Sequence, residues 1–213
     1  MSARDLRSRV ERRLQKAPGV RILPEQVDQL CAYIGLLAKW NKRLNLTSLS
    51  VDPPTDEAID RLLVEPAAAT QAVEPAAVSL VDLGSGGGSP AIPMKIGVPR
   101  LKLVMVEAKA RKSAFLRDAI RQLSLTEASV ENTRFEQLLT RTDLHEAADI
   151  VSVRAVRPDR QLWNPVLAFL KPGGSVFWFG SSGQAPSLPP ELFVASALPL
   201  PGNNRLIVLK LAS

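Results

Sequence analysis

The stretch VDLGSGGGSPAIP, residues 81–93, runs an apolar segment into Asp82 and then into Gly84, Gly86, Gly87 and Gly88 before a proline closes it. Without side chains in the way, backbone N–H groups of such a loop can approach a ligand closely. A phosphate-binding nucleotide loop needs G-x-x-x-x-G-K-[ST], and neither Lys-Ser nor Lys-Thr ends this one. A dinucleotide fingerprint needs G-x-G-x-x-G, and counted from Gly84 its third glycine position holds Ser89. What remains is D-x-G-x-G-x-G, whose carboxylate would repel a pyrophosphate but suits an ammonium group. Further on, LKLVMVEA brings Glu107 to the end of a second apolar run, where an acid can accept hydrogen bonds from both hydroxyls of a ribose. An ammonium and a ribose on one ligand favour S-adenosylmethionine. The bland alternatives are a helix-capping carboxylate for Asp82 and a surface acid paired with Lys109 or Arg111 for Glu107.

A loop of this kind works at the carboxyl end of a parallel strand, and the surrounding pattern supplies one. From Val78 onward, VSLVDLG, LKLVMVEA, ASVENTR, ADIVSVRAV and GGSVFWFGS read as strands. PAIPMKIG, ARKSAFLRDAIRQLSL and DRQLWNPVLAFL read as helices between them. That alternation predicts an α/β, Rossmann-like, mostly parallel sheet covered on both faces. The tail, FVASALPLPGNNRLIVLKLA, has no helix between its two apolar runs, and its Pro-Gly-Asn-Asn turn predicts a closing antiparallel hairpin. Residues 1–76 differ in texture: a charged helix over 2–16, an amphipathic helix opening at Pro24 with Val27, Leu30, Cys31, Ile34, Leu37 and Ala38 on one face, and a short helix around 56–69. The expected division is a helical segment, 1–76, before a ligand-binding domain, 77–213.

Composition narrows the classes. One cysteine, Cys31, excludes an internal disulfide, and one histidine, His145, leaves almost nothing for a zinc site or a His-based triad. Cys31 is expected as a small buried hydrophobe and His145 as an exposed loop residue. No run approaches the ~20 apolar residues of a membrane span, and the basic N-terminus has no apolar core behind it, so the expected location is the cytoplasm. The chain is expected to act as a monomer, without metal.

Net charge is +6 and unevenly placed. Residues 1–50 hold ten Lys and Arg against four Asp and Glu, whereas residues 51–76 hold one against six. Segregated cations suit a nucleic-acid partner, or simply a solvated helix.

Taken in order along the chain, KWNKRLNLTS (39–48), VDLGSGGGSPAIPMKI (81–96), EAKARKSAFLRDAIRQLSL (107–125), TRFEQL (133–138), SVRAV (152–156), LKPGG (170–174) and NRLIVLK (204–210) resemble the bacterial small-subunit ribosomal RNA guanine-N7 methyltransferases, also called the glucose-inhibited division protein B family. The resemblance covers nearly the whole chain, and its W-N-x-x-x-N-L-T element is rare elsewhere. It implies a class I S-adenosylmethionine-dependent methyltransferase fold behind a helical N-terminal segment. It implies cofactor contacts at Gly84, Ser89, Phe135, Glu136 and Arg154, beside the Asp82, Gly86, Gly88 and Glu107 read from the loop itself. Phe135 and Glu136 would flank the adenine, their ordinary alternative being helix-start packing. Two departures stand out. Relatives usually carry a His-x-x-Asp-Ser-like element in the N-terminal region where this chain reads DRLLVEP (60–66), and usually end the fifth strand in Leu-Lys-Gly where it reads WFGSSG, with Gly180 in the lysine's place.

Guanine N7 presents an in-plane lone pair that needs no deprotonation, so aligning it with a sulfonium methyl and excluding water suffices, without a general base. Amino-group methyltransferases carry an Asn/Asp-Pro-Pro-aromatic motif where this chain has VRAVRP, and cytosine-C5 enzymes need a cysteine nucleophile that is absent there. Arg154 is expected to orient the base, through O6 alone or a phosphate, because a reacting N7 must stay free. Lys42, Arg43 and the N-terminal Arg4, Arg7, Arg9, Arg12 and Arg13 are expected on RNA phosphates. Trp40 is expected in the core rather than as a base-stacking platform. The rival readings are a class I methyltransferase with another substrate and a non-catalytic binding protein that has kept the fold.

Overall fold

A computed structural model of the chain describes residues 2–181 and 186–212. Helix α1 (Ala3–Gln15) starts on a reciprocal cap, in which Ser2 Oγ accepts from the Asp5 N–H while the Asp5 carboxylate accepts from the Ser2 N–H. Helix α2 (Pro24–Asn41) opens on a proline, whose missing N–H is harmless in a first turn, and the Gln26 side chain accepts from the Leu23 N–H.

A third helical run occupies 56–72, longer than the expected 56–69. It consists of α3 (Asp56–Ile59), a π-helical turn (Asp60–Val64), α4 (Glu65–Ala69) and a 3₁₀ turn (Thr70–Ala72). Pro66 lies just past the wide turn and has no N–H to offer the carbonyl of Leu62 or of Arg61 behind it.

The second part alternates as its sequence implies: β1 (Ser79–Leu83), α5 (Ala91–Gly97), β2 (Lys102–Val106), α6 (Ala110–Gln122), β3 (Ala128–Glu131), β4 (Ala148–Arg154), α7 (Arg160–Phe169), β5 (Leu170–Ser181), β6 (Leu192–Leu200) and β7 (Asn204–Leu211). The sheet order is β3-β2-β1-β4-β5-β7-β6. Pairs from β3 to β5 are parallel, and β7 runs antiparallel between β5 and β6, which is the expected hairpin. Strand order reverses between β1 and β4, the place where such sheets open a crevice at their carboxyl ends. Asp82 of β1 stands in register with Ser152 of β4 at that place.

Side chains alternate along β1, and so divide two cores. Leu80 joins a cluster with Leu30, Leu37, Ile59, Leu63, Ile92 and Phe115, contributed by α2, the 56–72 run, α5 and α6. Val81 and Leu83 join the opposite cluster with Val153, Leu162, Val166, Phe169 and Trp178 around α7. The apolar residues of 1–76 thus complete the sheet's own core; a side chain such as Phe115, fully buried there, contributes about 1.5–3 kcal/mol by burial.

The uneven charge folds back on itself. Arg7 reaches Asp28 at 3.0 Å, Arg9 pairs with Asp56, and Arg13 donates through Nε to Asp60 at 2.7 Å. Cys31 is only half-buried, with its thiol pushed up to about 11 by burial, and His145 is exposed as expected. Among the described residues no helix is long and apolar enough to cross a membrane.

Candidate functional site

The glycine loop is held by the ends of two strands. Gly84 N–H and Ser85 N–H both donate to the Val106 carbonyl, at 2.9 and 3.0 Å. Gly86, at φ +52°, donates its N–H to Glu107 Oε2 at 2.9 Å. Gly88, at φ +86°, would place a Cβ 2.6 Å from Ile92 Cδ1, so both backbone angle and space require glycine. From the other side Tyr33 of α2 donates its hydroxyl to the Gly87 carbonyl at 2.6 Å. A fully buried phenol on α2 thereby fixes the loop.

Glu107 is buried rather than paired on the surface. Its second oxygen accepts from the Lys109 backbone N–H at 2.8 Å, while the side chains of Lys109 and Arg111 are not its partners. Each oxygen keeps a further lone pair for a ligand hydroxyl. Asp82 caps no helix: Oδ1 accepts from Ser152 Oγ at 2.5 Å, and burial pushes its carboxyl above the ordinary value.

Arg154 ends β4 almost fully buried. Its Nη2 donates to Glu65 Oε2 at 2.6 Å, its Nη1 to the Arg61 carbonyl at 2.5 Å and to Ser89 Oγ at 3.2 Å, and its guanidinium lies 4.6 Å from the centre of the Phe179 ring. Ser89 Oγ in turn donates to the Leu62 carbonyl at 3.0 Å. The two carbonyls that Pro66 cannot serve are therefore those that hold Arg154 and Ser89. Glu65 also accepts from Asn204 Nδ2 at 2.7 Å, tying β7 to the same knot. Burial lowers the Arg154 guanidinium to about 10, which leaves it charged at neutral pH, and raises Glu65, against the pull of Arg154.

Among the described residues three buried side-chain atoms have no hydrogen-bond partner: Asp82 Oδ2, Glu136 Oε2 and Arg154 Nε. Such atoms are costly unless something arrives to satisfy them. They stand with Glu107 at the carboxyl ends of the adjacent strands β1 to β4 or just beyond them. Glu136 and the half-buried Phe135 lie on the 3₁₀ segment Phe135–Thr140 that follows β3. Two acceptors and one donor, all unpaired, fit a ligand that carries amino or ammonium groups together with a carboxylate, as S-adenosylmethionine does. A cleft of about 960 Å³ opens at Arg154, bordered also by Gly84, Gly86, Ser89, Lys112 and Asn204, whereas Asp82, Glu107, Phe135 and Glu136 do not border it. That is ample for a nucleoside-sized ligand and part of a second molecule. No group of three or more His, Cys, Asp or Glu among the described residues is placed to hold a metal.

The expected RNA contacts separate into two sets. Arg7, Arg9 and Arg13 are engaged by carboxylates of their own chain, whereas Arg4, Arg12 and Arg43 are exposed without an ion pair among the described residues. Lys42 pairs with Asp52 at 2.8 Å, both exposed. Gly180 stands opposite the exposed Arg205 in the β5–β7 register, and Ser182 and Gly183 of the WFGSSG stretch lie outside the described residues. Sequence reasoning missed Tyr33, Glu65 and Asn204. A lone acid beside a proline in the apolar run LLVEPAAA was the one signal available for Glu65.

Residues 26–185 match the family model described as rRNA small subunit methyltransferase G (GidB). Among curated proteins, a ribosomal RNA small subunit methyltransferase G of Paracoccus denitrificans is 39% identical over 168 residues, 76% of this chain and 83% of that protein. Namesakes from Neisseria meningitidis and Acetivibrio thermocellus are 34% and 32% identical over 80% and 73% of the chain, spanning 77% and 63% of their own lengths. Among solved structures, a putative O-methyltransferase from Klebsiella pneumoniae superposes with a TM-score of 0.61 at 15% identity, over 85% of this chain and 90% of that one. A SAM dependent methyltransferase from Aquifex aeolicus gives 0.54 at 9% identity, over 70% and 90%. At such identities these two establish the fold, that of the class I methyltransferases.

Proposed function

The chain belongs to the rRNA small subunit methyltransferase G family, and on that premise we propose that it transfers the methyl group of S-adenosylmethionine to N7 of a guanine in small-subunit (16S) ribosomal RNA. The observation that carries the reading is the set of three unpartnered buried atoms, Asp82 Oδ2, Glu136 Oε2 and Arg154 Nε, at the carboxyl ends of the strands.

When bound, S-adenosylmethionine supplies an electrophilic methyl on a sulfonium. The residues of this chain hold and orient. Asp82 Oδ2 takes the ammonium, Glu107 the ribose hydroxyls, and Phe135 and Glu136 flank the adenine. The Gly84–Gly88 loop, with its N–H groups at Gly84, Ser85, Gly86 and Gly88 spent on Val106, Glu107 and Ser85, lines the approach with bare backbone, together with Ser89. Arg154 orients: three of its contacts fix it to Arg61, Ser89 and Glu65, and its Nε is left for a ligand acceptor, the carboxylate of the cofactor or O6 of the guanine. No side chain has to remove a proton from N7, and holding base and methyl in line within the cleft supplies alignment. Lys42, Arg43, Arg4 and Arg12 meet RNA phosphates. Residues 1–76 form the RNA-facing part and residues 77–213 the cofactor-binding part of one monomer, acting in the cytoplasm.

The test is incubation of the purified chain with methyl-labelled S-adenosylmethionine and small ribosomal subunits from cells lacking their own guanine-N7 enzyme, followed by nucleoside analysis. Label in N7-methylguanosine, abolished by Arg154→Ala, is expected. Cofactor binding with label in another nucleoside, or with none, would replace this reading by a different substrate or a non-catalytic binder.

A further inference from the structure

A second groove lies beside the cleft. It measures about 640 Å³ and is bordered by Lys39, Trp40, Lys42, Arg43, Leu44 and Arg111. Four of these carry positive charge and none is acidic. Lys39, Arg43 and Arg111 are exposed without a carboxylate partner among the described residues, and the Lys42–Asp52 pair is open to water on both sides, so it exchanges readily for another anion.

Trp40 is only half-buried. Its indole N–H donates to Asp118 Oδ2 at 3.0 Å, and its ring meets Phe115 edge-on at 5.9 Å, so one side is pinned into α6 while the rest borders the groove. The indole is thus held in place at the border of the groove, among cations.

Groove and cleft share no lining residue but are bordered by near neighbours in the chain. Arg111 borders the groove and Lys112, its neighbour on α6, borders the cleft; Leu44 borders the groove and Leu46 the cleft. The turn between Leu44 and Leu46 is fixed by Asn41, whose Oδ1 accepts from the Leu46 and Thr47 N–H groups at 2.9 and 3.0 Å and whose Nδ2 donates to the Thr47 carbonyl at 3.1 Å. By contrast, three of the five arginines of α1 are occupied within the chain.

We propose that this groove binds a single-stranded segment of RNA flanking the target nucleotide, with one unstacked base against Trp40 and successive phosphates on Lys39, Arg43 and Arg111. The inference rests on the RNA substrate of the proposed function. A single strand is the occupant because a flat indole set among cations accepts a base whose face is free, whereas a duplex presents only its backbone and groove edges. Arg7, Arg9 and Arg13 of α1 then serve the fold, and the C-terminal end of α2 with the start of α6 holds the single strand.

The experiment uses the full chain and two fluorescein-labelled probes, an oligouridylate of about 15 nucleotides and an RNA duplex of the same length. Affinity is measured against salt concentration, with tryptophan emission followed on unlabelled strands. The expected result is tighter binding of the single strand, quenching of emission that Trp40→Phe removes, and a loss of about tenfold or more in affinity for the triple variant Lys39→Glu/Arg43→Glu/Arg111→Glu. The slope of log affinity against log salt should fall by about 2, as for three single-strand phosphate contacts. S-adenosylmethionine affinity and thermal midpoint unchanged in the triple variant establish that the fold is intact, and S-adenosylmethionine affinity alone serves that purpose for Trp40→Phe, which loses the indole bond to Asp118.

Equal binding of duplex and single strand, quenching that persists in Trp40→Phe, or full oligouridylate affinity in the triple variant would each overturn the inference. Methylation of small subunits by the parent chain with an unaltered RNA KM in the triple variant would overturn it while leaving the proposed function standing. Single-strand binding lost in the triple variant, from a chain that never labels N7, would leave the groove standing and remove the proposed function.

Discussion

Glu65 and Arg154 form a buried ion pair at 2.6 Å, the acid 1% and the base 11% exposed, across 89 residues of sequence. It joins the helical run 56–72 to the end of β4, and Asn204 on the free oxygen of Glu65 brings in β7. In the stretch DRLLVEP, residues 60–66, this arrangement sets a carboxylate and a proline side by side.

Removing the acid leaves a buried guanidinium unpaired. Glu65→Ala is expected to lower stability by about 3–5 kcal/mol, and Glu65→Gln by less, because the amide still presents an oxygen to Arg154. Urea unfolding followed by circular dichroism measures both. A loss in Glu65→Ala smaller than in Glu65→Gln would contradict the pairing.

Asp82 carries its proton to higher pH in the folded chain than the usual 3.8 because burial disfavours the carboxylate. Between those two values the folded state holds more protons than the unfolded one, so ligand-free stability falls as pH rises through that window. Binding an ammonium requires the carboxylate, so S-adenosylmethionine affinity rises with pH through the same window. Asp82→Asn should flatten both dependences and weaken the cofactor by about 10- to 100-fold, the range of a hydrogen bond to a charged group. Calorimetric titration at several pH values decides; a variant that binds as tightly as the parent would free Asp82 of the role.

Pro66→Ala returns an N–H to the helix, within reach of the Leu62 or Arg61 carbonyl. The thermal midpoint is expected to hold or rise, since proline is the poorer helix residue. Methyl transfer should fall by about tenfold, because the restored N–H competes with Arg154 and Ser89 for those carbonyls. Rate and thermal midpoint measured on the same preparation test the opposed signs, and a variant that lost both together would point to simple misfolding.

Arg13→Ala should cost about 1–3 kcal/mol of stability, because Asp60 is largely buried and loses its charged partner. RNA affinity should stay within about twofold, whereas Arg43→Ala should weaken RNA binding and leave stability unchanged. Swapped outcomes would give the phosphate role to Arg13 and take it from Arg43.

Much of this was legible in the chain because local pattern and local chemistry coincide. Strand–helix alternation from Val78, the closing hairpin at Pro-Gly-Asn-Asn, and the glycines after Asp82 all report on neighbours a few residues apart. The destination of the N-terminal arginines was not legible: charge counts gave a basic block beside an acidic one, and only folding brings Arg9 and Arg13 onto Asp56 and Asp60, more than 40 residues away. Tyr33 reads as one more apolar helix position until its hydroxyl is placed against Gly87, 54 residues on. Asn204 reads as a turn residue, and its bond to Glu65 spans 139 residues. Side chains that act through a distant partner leave no periodicity or spacing to read.

Helix α2 has 18 residues, a rod of about 27 Å. Midway along it Tyr33 grips the glycine loop, and at its far end Trp40 and Asn41 shape the groove and the turn beside it. Two ligands therefore lean on one lever. A substitution that rocks α2 is felt at both, and reciprocity requires that whatever factor the cofactor adds to RNA affinity, RNA returns to the cofactor. Removing the N-terminal helices to isolate a minimal catalytic half would take away the far support of the glycine loop along with the groove.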